Sequence, residues 1–506
     1  MKTIPFGLTY DDILLVPQKS RISSRSLVNT KTKLSRNIDL AIPFVSSNVD
    51  TVTESAMAIA MAKLGGMGII HRFMTIERQV TEVDRVKRSE GFILGIPFTL
   101  EPTQTVAEAK QRMKRHRVSS AIIVDKYNKV LGLVAERDMW FLDRESQTLK
   151  DLMTPANKLI TSRVGVSIRE ARELFKIHKI EKLPLLNKDG TLGGLITSRT
   201  VLNEEIYPFA TKDKKGRLRV GAAVGVVGDF KERAKELIKA GVDAIVVDIA
   251  HIHSVHGLQA VRELRNICRS VDLIGGNIAT SDAAKDLIRL ECDALKIGIG
   301  PGGICITRMV AGAGVPQFTA IQNCAYVAHK AKIPCIADGG TNYSGDMTKA
   351  LAGGASTVML TGWLAGTDES PGSIILRKGL KYKVHRGAAS FSAVASRKIA
   401  GILDSGVSGQ ARLPDLSSGV SGQVRKEMAE LELTQELEDI VPEGVESFVP
   451  YKGAVKDVIF QLTGALRSGM SYCNAASIKD LWKNAEFIQI TQAGFRESTQ
   501  HNVEEM

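Results

Sequence analysis

The stretch Gly298-Ile299-Gly300-Pro301-Gly302-Gly303-Ile304-Cys305-Ile306-Thr307-Arg308 puts a thiol inside a glycine-rich turn. Four glycines around a proline form neither a helix nor a regular strand. Such backbone approaches a ligand closely and aims amides at an anion. A cysteine considered alone is most often a buried packing residue. In an exposed loop of this kind it is a candidate nucleophile. Asp338-Gly339-Gly340 and Gly362, in MLTGWLAG, are two further glycine clusters. Their amides would grip a phosphate, and the Asp338 carboxylate would accept hydrogen bonds from ribose hydroxyls. A tight strand-to-helix turn is the alternative reading of IADGG on its own.

These groups need elements to hold them. Short apolar, β-branched runs recur at 42–47, 66–71, 218–225, 244–250, 271–278, 293–300, 333–340 and 356–362, each followed by a helical pattern. Continuous apolar strands alternating with helices mean a parallel sheet buried on both faces. Eight units are the number that closes a (β/α)8 TIM barrel, an α/β fold whose active site lies at the C-terminal ends of the strands. The thiol loop leaves the sixth strand, Asp338 ends the seventh and Gly362 follows the eighth. Loops after strands seven and eight are a frequent phosphate site in such barrels. An open doubly wound sheet is the alternative, but no G-x-G-x-x-G follows an early strand.

The gap between the second and third units is too long for one crossover, so a module is inserted at about 92–211. It carries an internal repeat. Thr105–Ala109 answers Ser167–Ala171, and at the same offset of 62 His116, Gly132 and Arg137 answer His178, Gly194 and Arg199. One half would leave an apolar face bare, so the halves (about 92–150 and 151–211) should pack together. The insertion resembles a tandem pair of CBS domains. That resemblance implies an adenine or guanine nucleotide in the cleft between repeats, its ribose held by an acidic residue after the second strand. Asp138 fills that place in the first repeat, while Thr200 replaces it in the second. A packing module that sets oligomer geometry and binds nothing is the other reading.

Composition narrows the class. The 506 residues are 44% hydrophobic and 24% charged, ordinary for a folded globular chain. No run approaches the roughly 20 apolar residues of a membrane span, and the N-terminus lacks a signal-peptide core. The net charge of +12 is spread along the chain, which favours small anionic substrates over nucleic acid. Six cysteines without CxxC spacing make neither a disulfide scaffold nor a zinc site, and a reducing cytoplasm fits them best.

Over nearly its whole length the chain resembles the IMP dehydrogenase/GMP reductase family. The matching stretches include LTYDDILLVP (8–17), GGMGIIH (65–71), VDIAHIHS (247–254), GGNIAT (275–280), GIGPGGICITRMVAGAGVPQ (298–317), IADGGTNYSGDMTKALAGGA (336–355), VPEGVES (441–447) and RSGMSYC (467–473). The resemblance implies that Cys305 attacks the purine C2 of IMP. A hydride then passes to NAD, and the covalent thioimidate is hydrolysed to XMP with help from Thr307. It places Gly303, Asp338, Gly339, Gly340, Gly362 and Ser390 around the ribose and phosphate, and Glu443 at the base N1 edge. Asp248 would hold the nicotinamide ribose, with Asn277, Gly298 and Gly300 nearby. Carbonyls of Gly300, Gly302 and Cys305, with the tail residues Glu497 and Ser498, would bind a potassium ion. A homotetramer or octamer is implied as well.

Several positions depart from the family pattern. Gly303 stands where a serine is usual, Val49 replaces a methionine, and Tyr-Arg-Gly-Met-Gly-Ser reads His385-Arg386-Gly387-Ala388-Ala389-Ser390. Dehydrogenases carry an Arg-Tyr pair in a mobile flap, expected here at about 386–450, and that arginine activates water. No tyrosine occurs between Lys383 and Pro450, although a doubled G-V-S-G-Q-x-R ends at Arg412 and Arg425. Either guanidinium is a candidate base, and Thr307 with Glu443 offers a second proton route. The expectation is an IMP dehydrogenase. The alternatives are a GMP reductase, which uses NADPH to release ammonia from GMP, and a nucleotide-sensing paralogue.

Overall fold

The structure is a computed structural model that describes residues 4–89, 97–116, 118–142, 145–395 and 441–499. The chain divides into two compact units. One comprises Met1–Lys87, Phe209–Thr211 and Arg219–Met506, the other Arg88–Pro208 and Lys212–Leu218.

The first unit is a closed eight-stranded parallel barrel. Its strands are β1 (Phe44–Ser46), β2 (Met67–Ile70), β3 (Gly221–Val224), β4 (Ala244–Asp248), β5 (Asp272–Ile278), β6 (Ala294–Ile297), β7 (Cys335–Asp338) and β8 (Thr357–Leu360). Each lies within one of the apolar runs singled out in the sequence, and β8 pairs with β1 to close the ring. The helices are α1 (Ser55–Lys63), α2 (Ile76–Ser89), α3 (Phe230–Lys239), α4 (Val255–Ile267), α5 (Ser281–Arg289), α6 (Gln317–Lys330), α7 (Ser344–Ala352) and α8 (Val455–Tyr472). Serine or threonine side chains cap several of them: Ser254 accepts from Gly257 N, and Thr280 from Ala283 N.

Side chains fill the barrel rather than leaving a pore. Val45, Met67, Ile69, Val246, Ile274, Ile336 and Met359 meet Leu34, Ile38 and Leu40 in one buried cluster. The last three come from the hairpin Thr32–Ser35/Ile38–Leu40. That hairpin is pinned to the N-terminal ends of β5 and β6. Asn37 donates through N (3.1 Å) and Nδ2 (2.8 Å) to Asp272, and Arg36 N donates to Asp293 O (2.9 Å). One mouth is therefore plugged, and the C-terminal mouth is left for chemistry. After β8 the chain adds a three-stranded antiparallel sheet in which β9 (Leu380–Arg386) lies between Ile375–Arg377 and β10 (Glu446–Pro450).

In the second unit each half supplies a helix and two antiparallel strands. Val106–His116, Ser120–Val124 and Val130–Ala135 correspond to Ile168–His178, Lys182–Leu186 and Leu192–Thr197. Every first residue is displaced by the sequence offset (168 − 106 = 182 − 120 = 192 − 130 = 62). Ile122 and Val124 of one half cluster with Leu192 and Leu195 of the other. Both positions singled out for ribose are engaged locally. Asp138 accepts Ala135 N–H (2.8 Å), and Thr200 bonds the Thr197 hydroxyl (2.8 Å). No helix among the described residues is long and apolar enough to cross a membrane.

Candidate active site

At the C-terminal ends of the strands lies a cavity of about 790 Å³. Its wall includes Gly298, Gly300, Gly302, Gly303, Cys305 and Thr307 after β6, Asp338, Gly339 and Gly340 at β7, Gly362 after β8, Asp248 of β4, Asn277 of β5, and Glu443. Elements far apart in the chain meet here because parallel strands all deliver their C-terminal ends to one rim. Gly298 has φ +146°, and a Cβ there would stand 2.1 Å from Asp338 O. Only glycine lets the ends of β6 and β7 approach that closely. At Gly303 and Gly362 a Cβ would meet nothing within 4 Å, so their backbone is open to a ligand.

The thiol belongs to a chain of three side chains. Cys305 Sγ lies 3.2 Å from Thr307 Oγ1, and that hydroxyl donates to Glu443 Oε2 at 2.7 Å. A threonine hydroxyl has one proton, here given to the carboxylate, so the thiol is the donor in the first contact. The arrangement leads a proton from sulfur through oxygen to a carboxylate. The other five cysteines are buried, and burial pushes the thiols of Cys268, Cys292 and Cys324 up to about 12. Cys305, partly exposed in the cavity wall, is the cysteine placed for nucleophilic work.

Backbone pairing brings Glu443 to this place across 136 residues. Ile306 N donates to Glu443 O (2.9 Å), Val445 N to Ile304 O (3.0 Å) and Glu443 N to Ala389 O (3.1 Å). The thiol loop, the 387–390 turn and the segment entering β10 thus form one ladder. Ser390 is part of that ladder and not of the cavity wall. It is buried, it bridges Gly444, and its hydroxyl accepts Ala393 N–H (3.4 Å), whereas Gly387, Ala388 and Ala389 line the cavity. Beneath the loop, Arg308 donates to Ile299 O (3.1 Å) and Val315 O (2.5 Å), clamping its two ends.

A group not singled out in the sequence organises the floor. Lys296 of β6 is fully buried, 2.6 Å from Asp248 Oδ1 and 2.8 Å from Asp338 Oδ2, and it donates to the Asn277 amide oxygen. Asn48 donates to Asp248 Oδ2 (2.8 Å), and Asn277 Nδ2 to Asp338 Oδ2 (2.9 Å). Asn277 therefore joins Asp338 directly and Asp248 through Lys296. Burial works against charge on both Asp248 and Lys296, but their attraction outweighs it. The Asp248 carboxyl is held below the usual range, and the ammonium above its own. Lysine is almost never fully buried unless paired, so a lone Lys in the apolar run DALKIGIG was the signal available. Asn48, Arg72, His385 and Lys452 also line the cavity without having been singled out.

Glu497 and Ser498 stand outside the cavity wall. They end the helix Gln492–Glu497, where Ser498 donates to Gly494 O (3.0 Å) and Phe495 packs on Tyr343. Arg412, Arg425 and most of the expected flap lie outside the described residues.

A (β/α)8 barrel thus carries at its C-terminal rim a thiol–hydroxyl–carboxylate chain among glycine-rich loops, an arrangement of the enzyme class. The IMP dehydrogenase / GMP reductase domain family matches residues 7–501, and the chain belongs to that family of oxidoreductases. It is 47% identical to inosine-5'-monophosphate dehydrogenase of Nitrosopumilus maritimus over 98% of each chain. It is 43% identical to GMP reductase of Leishmania donovani over 100% of this chain and 99% of that one. GMP reductase from Trypanosoma brucei in complex with guanosine 5'-monophosphate superposes with a TM-score of 0.85, at 42% identity over 99% of both chains.

Proposed function

We propose that this enzyme is an NAD-dependent IMP dehydrogenase of the cytoplasm. The observation that carries the reading is the Cys305–Thr307–Glu443 chain, built on the loop that follows β6 and the segment entering β10. Cys305 loses its proton toward Thr307 and Glu443 and bonds to C2 of IMP. NAD, when bound, takes the hydride that leaves C2. Glu443 releases the thiol proton to solvent; water then adds to C2 of the thioimidate, Thr307 passes the water's proton to Glu443, the C–S bond breaks to release XMP, and the Cys305 thiolate takes the proton back. Asp338 receives the substrate ribose through Oδ1, since Oδ2 is engaged by Lys296 and Asn277. The amides of Gly303, Gly340 and Gly362 receive the phosphate. Asp248, kept ionised by Lys296, suits the hydroxyls of the nicotinamide ribose.

A monovalent cation, potassium, fits the carbonyls of Gly300, Gly302 and Cys305. Gly302 O already accepts Cys305 N–H (3.0 Å), but a carbonyl oxygen has a second lone pair. The repeat unit is read as a CBS pair with an adenine or guanine nucleotide as effector, and the assembly as a homotetramer or octamer.

GMP reductase is the second reading, favoured by the missing tyrosine between Lys383 and Pro450. In that direction Cys305 would bond to C2 of GMP as ammonia leaves, protonated through the Thr307–Glu443 pair; bound NADPH would supply the hydride for C2, and cleavage of the C–S bond gives IMP, so no flap base is needed. In the dehydrogenase direction Arg412 or Arg425 is the further candidate base. A paralogue that only senses nucleotide would not need the intact thiol chain. Incubation with IMP plus NAD, and separately with GMP plus NADPH, followed through absorbance of the reduced nicotinamide, decides. A rise with the first pair is expected, a fall with the second would establish the reductase, and no change in either would leave a sensor.

A further inference from the structure

The cavity wall holds four basic side chains, and three are already accounted for. Lys296 is neutralised by two carboxylates. Arg72 lies in the field of Asp248. His385 is buried, bonds Thr51 Oγ1 through Nδ1 (3.0 Å), and is pushed down to about 4 by burial, so it is neutral near pH 7. The fourth is Lys452, just beyond β10. Its Nζ donates to Gly362 O (2.8 Å) and Trp363 O (3.2 Å) and stands 5.7 Å from the indole centroid. Among the described residues no carboxylate pairs with it, and burial lowers its pKa. An ammonium has three donors, and here two are spent on neutral carbonyls.

Its position is fixed from both sides. The Trp363 indole donates Nε1 to Thr341 O (3.1 Å), which ties the loop after β8 to the loop after β7. Lys452 N donates to Gly366 O (2.9 Å). The ammonium is therefore held against the Gly362–Trp363 peptide, beside the open backbone of Gly362 and the Gly339–Asn342 turn that leads into α7. Loops after strands seven and eight are where barrel enzymes seat a phosphate.

Resting on the nucleotide reading above, we propose that Lys452 is the charge partner of the substrate 5'-phosphate and sets the preference for nucleotides over nucleosides. Amides alone would orient a phosphate but leave its second charge uncompensated. An ammonium stacked on an aromatic face supplies that charge without a competing carboxylate.

The test compares IMP with inosine, and GMP with guanosine, in wild type, Lys452→Met and Lys452→Arg, by turnover and by calorimetric binding. Lys452→Met should raise KM and Kd for the nucleotide by roughly 10- to 100-fold, with kcat at saturation changed less than about threefold. The nucleosides should be unaffected, and Lys452→Arg should recover most of the loss. Unchanged nucleotide affinity, or equal losses for nucleotide and nucleoside in a variant that melts like wild type, would overturn the assignment. A wild type that binds nucleotide better than nucleoside but turns over neither keeps Lys452 and loses the catalytic reading. A wild type without that preference loses Lys452.

Discussion

The two ends of the barrel use the same ingredients for different purposes. At the plugged end Lys87 pairs with Asp243 (2.8 Å), Arg265 with Asp293 (2.7 Å), and Asp272 takes Ser35 and Asn37. There each carboxylate closes on a neighbouring element, and none lines the cavity at the open end. At the open end one ammonium, Lys296, serves two carboxylates, and both line the cavity. A buried pair at the closed end fixes packing. A shared cation at the open end keeps Asp248 ionised while leaving Asp338 an oxygen for a ligand. Buried ion pairs alone do not mark function; sharing beside a cavity does.

The sharpest break in that comparison is at the thiol. Cys305→Ala should reduce turnover by at least about a thousandfold while nucleotide binding, measured by calorimetry, is largely kept, because phosphate and ribose contacts supply the ground-state affinity. Residual turnover near the wild-type rate would remove Cys305 from the chemistry.

Next comes the contrast of the two lysines. Lys296→Met leaves two carboxylates side by side and should lower kcat/KM by roughly 100-fold, weakening nucleotide and dinucleotide together. Lys87→Met should lower stability by about 3–5 kcal/mol and leave KM unchanged. Denaturant melts and steady-state kinetics on both variants test this, and a pure stability loss in each would erase the distinction between the ends.

A smaller effect concerns pH. His385 has its folded pKa pushed from 6.5 to about 4, mainly by burial, with Asp50 opposing. Between those values the unfolded chain binds the proton and the folded chain does not. Stability therefore falls as pH drops from 6.5 toward 4, by up to roughly 3 kcal/mol. His385→Gln should flatten that part of the stability curve, read from denaturant midpoints at pH 7 and pH 4.5.

The smallest change expected follows removal of residues 92–208, which leaves Phe209–Thr211 with the barrel. The repeat unit buries its own clusters, so the barrel should stay folded and turn over within about threefold of the full chain. Loss of solubility would show that the barrel depends on the module.

The amino-acid sequence by itself determined the barrel, because strands buried on both faces must be continuous apolar runs, and all eight were visible as such. It also determined the order in which chemistry meets the rim. A glycine-rich thiol loop and an Asp-Gly-Gly turn are local signals that need no tertiary knowledge. Contacts across long separations were decided only by the fold. Thr307 meets Glu443 across a separation of 136 positions, and the partners of Lys296 come from three other strands. Ser390 reads like its neighbours in sequence, yet the ladder through Gly444 turns it away from the cavity. Strand neighbours are fixed by closure of the sheet, and a single sequence carries residue types without carrying which of them closure sets side by side.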